Sequence, residues 1–139
     1  MRTRITSLVL GVMTAALLVA APVAAGDKRV VITLDVNFST GVEAFTAIGA
    51  FCATGSAETT SAYATGRPVF HVDKTFTCED GSGTMSISLN AAATSTGTSG
   101  GWTVKGGTGA WAGVSGGGQI TGVNTPTGIQ DTYTGSISR

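Results

Sequence analysis

Charged side chains, histidine and cysteine are all scarce in this sequence. Only 12% of its 139 residues are charged, and eight basic residues balance eight acidic ones. Such a balance excludes a basic nucleic-acid-binding domain and an acidic disordered tail. One histidine and scattered carboxylates provide no metal-ligand spacing. We therefore expect no nucleic-acid partner, no metal site and no cofactor.

A long hydrophobic run is also missing, although the N-terminus is apolar. Arginines near the start are followed by an apolar stretch over residues 8–21 and by small residues at 23–25. This is the three-part layout of a secretory signal peptide, and its apolar run is shorter than the ~18 residues of a membrane-spanning helix. We predict a signal peptide at 1–25 and a secreted domain at 26–139, with no membrane anchor after processing.

The secreted domain has no helical pattern and is rich in glycine. All but one of the chain's 21 glycines lie in it, and a glycine inside a helix costs about 1 kcal/mol relative to alanine. Apolar residues alternate instead with more polar ones, which is the period of a half-buried strand. The clearest alternations cover 30–39 and 85–91, and weaker strand patterns cover 45–54, 57–65, 69–78, 101–106, 117–124 and 128–138.

About eight strands in so short a domain indicate a sandwich or a barrel. We favour an all-β fold with a single antiparallel eight-stranded β-barrel. Closure of the sheet leaves no edge exposed, and eight strands enclose a space that side chains or one small ligand can fill.

Cys52 and Cys78 are the only cysteines of the chain. Export would place them in an oxidising compartment, where a disulfide persists, and one pair has one intramolecular connectivity. We therefore predict a Cys52–Cys78 disulfide. A reactive or metal-binding thiol pair is the alternative, but neither a CxxC spacing nor a histidine cluster supports it.

The most distinctive segment is 104–116, in which glycines surround Trp111. These glycines are Gly106, Gly107, Gly109, Gly113 and Gly116. They would let the backbone adopt positive φ and bulge while Trp111 folds back on the barrel. A phosphate-binding loop and a nucleophile elbow are the functional alternatives, but both need a helix directly after the glycines, and none is predicted here.

This segment resembles the Gly-Gly-Thr-Gly, aromatic, Ala, Gly signature of the allene oxide cyclase and dirigent barrel superfamily. The two cysteines and residues 78–83 look like those of small secreted bacterial members. The resemblance implies a calycin-like eight-stranded barrel whose cavity holds a small apolar molecule. Family members include a cyclase of fatty-acid-derived epoxides and proteins that guide the coupling of phenolic radicals. No cavity residue can be matched one by one, so the resemblance carries no catalytic role to this chain.

Three functions are consistent with such a barrel. The first is a non-catalytic binding protein for a small apolar molecule. The second is a dirigent-like or cyclase-like isomerase acting in the barrel cavity, and the third is a closed structural or protein-interaction barrel. The sequence leaves homo-oligomerisation open. The aromatic candidates for contact with a ligand are Tyr63, Phe70, Trp102 and Tyr133.

His71 and Asp73 are the candidate acid–base pair for the isomerase hypothesis. They lie on the same side of the strand over 69–78, where they could share a hydrogen bond. A solvated surface pair is the simpler interpretation. Lys74 lies on the opposite, apolar face of that strand, where a charge is unexpected. If that face lines the interior, Lys74 lies near the rim or is functional.

Overall fold

Eight antiparallel strands close into a barrel in a computed structural model that describes residues 28–66 and 68–139. Each strand pairs with the next along the chain, and the last pairs with the first. The predicted all-β class and closed eight-stranded barrel are confirmed. The predicted signal peptide lies outside the described residues. The strands are β1 (Lys28–Asn37), β2 (Glu43–Gly49), β3 (Thr54–Gly66), β4 (Val69–Cys78), β5 (Gly83–Ala93), β6 (Gly97–Gly109), β7 (Ser115–Thr125) and β8 (Gly128–Ser138).

The alternation read from the sequence is the alternation between the inside and the outside of the barrel. On β1, Val30, Ile32 and Leu34 are at most 1% exposed, whereas Val31 between them is 38% exposed. The inward side chains of β5 are buried in the same way. Burying each large aliphatic side chain is worth roughly 1.5–3 kcal/mol, so these two strands anchor the core. Within the described ranges, no helix is long and apolar enough to cross a membrane.

The sequence prediction was wrong about the end of β2, which stops at Gly49 and not at residue 54. The next four residues form the connection to β3. In it the Ala50 amide donates to the Arg29 carbonyl over 3.0 Å. The connection carries Phe51 into the core, where it is only 6% exposed. Its apolar residues therefore mimic a strand in the sequence although they cover one end of the barrel.

Aromatic side chains fill the barrel towards the end where this connection lies. We call this set the aromatic core: Phe45, Phe51, Phe76, Trp102, Trp111 and Tyr133. Phe76 meets Phe45 and Tyr133 edge to face, with ring centroids 5.4 and 5.6 Å apart. Such pairs add about 0.5–1.5 kcal/mol beyond the area they bury. The Cys52–Cys78 disulfide, with Cα atoms 5.9 Å apart, closes the same end and confirms the predicted pairing.

The glycine-rich segment forms the end of β6, a turn and the start of β7. Gly109 and Gly113 flank the turn with φ of 62° and 76°, which other residues rarely adopt. Trp111 folds back from this turn onto the barrel and is 7% exposed. Its indole Nε1 donates to Ser82 Oγ over 3.3 Å, and the Arg139 guanidinium lies 4.8 Å from the ring centroid. The segment therefore closes the aromatic core, and a strand follows it instead of a helix.

The disulfide provides the first prediction, because it joins two residues separated by 26 positions. We expect the double variant Cys52→Ser/Cys78→Ser to lose about 3.5 kcal/mol of unfolding free energy, since the unfolded chain regains the freedom of that loop. Urea unfolding measures the difference. Reductant should lower the stability of the wild type and leave the double variant unchanged. Equal stability of the two proteins under oxidising conditions would refute the expectation.

Candidate functional site

The barrel is hollow at the end opposite the disulfide. A cavity of about 450 Å³ opens there beside the β1–β2 connection, and we call it the mouth cavity. Its volume falls within the range of small-molecule sites. Most of its wall is apolar, and the apolar residues come from six of the strands and from that connection. The apolar lining residues are Val36, Phe38, Ala62, Phe70, Val72, Leu89, Ala91, Ile120 and Ile129.

A group of polar side chains interrupts this apolar wall, and we call it the polar floor. Its members are Glu43, Thr59, Lys74, Thr98 and Asp131, and all of them line the mouth cavity. They come from β2, β3, β4, β6 and β8, so barrel closure is what brings them together. The site is therefore a tertiary feature with no local sequence motif.

Lys74 forms the centre of a buried ion pair on one side of the floor. Its Nζ lies 2.5 Å from Glu43 Oε2 and 2.7 Å from Thr59 Oγ1. The Thr59 hydroxyl in turn donates to Glu43 Oε1 over 2.8 Å. The side chains of Lys74 and Glu43 are 7% and 11% exposed. The Glu43 carboxylate thus matches the positive charge of Lys74 on the apolar face of β4. Lys74 lines the interior of the barrel together with the apolar residues of that face.

Asp131 and Thr98 form the other side of the floor, and their side chains lie next to each other. Asp131 is 7% exposed, and Asp131 Oδ1 and Thr98 Oγ1 are both shielded from solvent. The Thr98 hydroxyl hydrogen-bonds the Asp131 carboxyl and favours its ionised form. Both oxygens lie over Gly122, where a Cβ atom would collide with each of them. The absence of a side chain at Gly122 therefore leaves the space that these two oxygens occupy.

Burial determines the protonation of Asp131. It raises the pKa of this carboxyl to about 6, while the positive charge of Lys74 and the neighbouring Thr98 hydroxyl lower it in part. The negative charge of Glu43 raises it further. Burial and the negative charges of Asp131 and Glu43 also raise the pKa of Tyr133 well above its ordinary value. The carboxyl can therefore exchange a proton near neutral pH, whereas the phenol keeps its proton.

The four aromatic residues expected to contact a ligand lie in three different places. Phe70 lines the mouth cavity. Trp102 and Tyr133 are 3% and 0% exposed in the aromatic core and do not line the cavity. Tyr63 is 55% exposed on the outer face. Tyr63 faces outward because β3 has a bulge between Thr59 and Ser61, so that Ala62 lines the cavity in its place.

His71 and Asp73 lie on the outer face of β4. His71 Nε2 is 3.2 Å from Asp73 Oδ1, and Nδ1 is 3.0 Å from Asn90 Oδ1. The Ser88 hydroxyl donates to Asp73, and this hydrogen bond is the main cause of the lowered pKa of that carboxyl. Because Lys74 faces the cavity, its neighbour Asp73 must face away from it. This position excludes the pair as acid and base inside the barrel.

Sequence analysis missed four members of the floor: Glu43, Thr59, Thr98 and Asp131. A signal for Asp131 exists, since it alternates with Ile129 and Tyr133, so that a carboxylate shares their face of the strand. Glu43 stands in the same relation to Phe45. No such signal marks Thr98. In the part of the chain that the structure describes, no three histidine, cysteine, aspartate or glutamate side chains form a group that could hold a metal ion.

The chain matches no known protein family, no curated protein and no solved structure. The resemblance to allene oxide cyclase and dirigent barrels therefore stays a prediction without further support. The function has to be inferred from the mouth cavity and its floor.

The ion pair provides the second prediction. Lys74→Met leaves the Glu43 carboxylate buried without its cation, and we expect it to lower the free energy of unfolding by roughly 3–5 kcal/mol. The double variant Lys74→Met/Glu43→Gln removes both charges and should recover most of that loss. Urea unfolding near neutral pH compares the three proteins. A single variant as stable as the double variant would show that the pair is not desolvated.

Asp131 provides a prediction about pH. Between about pH 4 and pH 6 the carboxyl is ionised in the unfolded chain but protonated in the folded one. The free energy of unfolding that the protonated Asp131 carboxyl contributes is therefore lost as the pH rises through this window. The rise in pKa from 3.8 to about 6 corresponds to a loss of up to about 3 kcal/mol.

The comparison with Asp131→Asn tests this sign. The variant should be about as stable as the wild type near pH 4 and more stable near pH 7, as measured by urea unfolding. Asp35→Asn, which removes an exposed carboxylate from the outer face of β1, is the matched control and should show no such gain. A difference between Asp131→Asn and wild type that does not vary with pH would contradict the assignment.

Proposed function

We propose that this protein is a secreted, non-catalytic binding protein for a small, largely apolar molecule held in the mouth cavity. The observation that carries the proposal is the half-filled barrel. Side chains pack the disulfide end, while about 450 Å³ next to the mouth is lined mostly by aliphatic and aromatic groups. A barrel serving only as a structural unit would gain stability by filling that space.

The entrance also suits an apolar molecule. Phe38 lines the mouth cavity and is 71% exposed, so its ring is available to a molecule that enters. Phe70 provides a second aromatic surface inside. Large exposed apolar side chains beside a cavity are typical of ligand-binding sites. The signal-peptide pattern and the disulfide support a location outside the cell.

An isomerase or cyclase acting in the same cavity is the second candidate, and one observation favours it. The Asp131 carboxyl lines the cavity with a pKa of about 6, which suits a group that takes up and releases protons near neutral pH. A ligand recovered chemically unchanged after prolonged incubation would support binding alone. Conversion that Asp131→Asn abolishes would support the enzyme.

Titration with the neutral naphthalene dye Prodan tests the binding proposal, since its emission shifts to the blue in apolar surroundings. We expect a saturable blue shift with the wild type. Ala62→Trp places an indole at a cavity-lining position and should weaken the affinity at least about tenfold, because the ring occupies the ligand's space. Ala62 is itself exposed at the mouth, so the fold should tolerate the change.

Tyr63→Trp is the matched control. It places the same side chain one residue further along β3, on the outer face. The affinity for the dye should therefore stay at the wild-type level. A blue shift that does not saturate, or one that Ala62→Trp leaves unchanged, would rule out the mouth cavity as the binding site.

A further inference from the structure

We propose that the polar floor is a binding site for the ammonium group of an amphiphilic amine, with the Asp131 carboxylate as its acceptor. This inference rests on the proposed function and adds the chemical class of the ligand. The apolar body of the amine would lie along the cavity wall, and its charged end would reach the floor.

The buried Asp131 carboxylate is the first observation. A buried charge without an opposite charge beside it is costly. Asp131 is 93% buried by its 7% exposure and lines the mouth cavity. The neighbouring Thr98 hydroxyl offsets its burial only in part. Because Asp131 lines the cavity, an ammonium group bound there can approach its carboxylate.

The balance of charge selects the kind of head group. The Lys74 ammonium is matched by Glu43 at 2.5 Å and also bonds Thr59. Asp131 has no such cation, since the described side chains form no salt bridge to it. With Asp131 ionised, the floor therefore carries one unmatched negative charge. A cation compensates that charge, whereas a carboxylate would be repelled by it.

The chemistry of the head group favours a primary amine over an alcohol. An ammonium group carries a positive charge and three donors, so it can form a charge-assisted hydrogen bond to the Asp131 carboxylate. An alcohol has one donor and no charge, so it leaves the charge of Asp131 unmatched.

Binding of an amine should then depend on the ionisation of Asp131. The charged and titratable groups that face this carboxyl are Lys74 from β4, Glu43 from β2 and Tyr133 from β8, and the phenol of Tyr133 stays protonated. The pKa of Asp131 is about 6 without a ligand, so the carboxyl is mostly ionised above about pH 7 and mostly protonated near pH 5. The affinity for an amine should therefore decrease as the pH is lowered from about 7 to about 5, whereas the affinity for a neutral alcohol should not change.

Displacement of Prodan by octylamine, octanol and octanoate tests the inference, because the three ligands share one apolar chain. Near pH 7.5 we expect octylamine to bind at least about tenfold more tightly than octanol, with octanoate the weakest. Near pH 5 the advantage of octylamine over octanol should shrink to less than about threefold.

Three variants locate the effect. Asp131→Asn should abolish the preference for octylamine over octanol. Thr98→Val removes only the hydroxyl and should weaken octylamine severalfold more than octanol. Asp35→Asn removes a carboxylate from the outer face of β1 and should keep the preference of the wild type.

The outcomes separate the inference from the proposed function. Saturable dye binding with equal displacement by octylamine and octanol keeps the apolar cavity and overturns the amine site. Octanoate as the tightest ligand overturns it as well and assigns the head group to Lys74. A wild-type protein that does not bind the dye at all overturns the proposed function, and the amine site with it. A preference that survives in Asp131→Asn also overturns the inference.

Discussion

The hydrogen bonding of β1 to β8 is the constraint on which the rest of the structure depends. Val30 pairs with Gly135 and Val36 with Ile129, so the first and last strands lie side by side along their length. Once the sheet is closed, its eight strands fix an interior that side chains can only just fill. Large aromatic rings fill it towards the disulfide. Towards the mouth the inward positions include Ala62 and Ala91, and the space stays open.

Closure also brings together charges that are far apart in the sequence. Lys74 and Glu43 meet from β4 and β2, and Asp131 approaches them from β8. The apolar interior tolerates the Lys74–Glu43 pair because the hydrogen bonds of the pair compensate part of the cost of removing the two charges from water. For the unmatched Asp131 carboxyl, the Lys74 charge and the Thr98 hydroxyl offset the cost of burial only in part, so the fold retains it at the expense of stability. Sites of that kind are typical of binding and catalysis, because a group that weakens the fold gains its partner from the ligand.

The sequence predicted the barrel well because strand faces follow a period of two. The alternation in β1 and β5 was enough for the fold, and the charge of Lys74 on an apolar face pointed to the interior. Periodicity predicts on which face of a strand a residue lies but not how far along the barrel axis it lies. The sequence therefore could not show that Trp102 and Tyr133 lie in the packed core whereas Phe70 lines the cavity. The bulge in β3 leaves no mark in the sequence and reverses the face of Tyr63. Asp131 escaped notice because the inward face of β8 also carries Gly135 and the outward face carries threonines.

A crystal structure of the protein is the most direct test of the account. Its central claim is that the barrel is packed at the disulfide end and hollow over a polar floor at the mouth. The account predicts an open mouth cavity, with water or a bound molecule within hydrogen-bond distance of the Asp131 carboxylate. Side chains filling that space, or an Asp131 carboxylate turned out into bulk solvent, would contradict it.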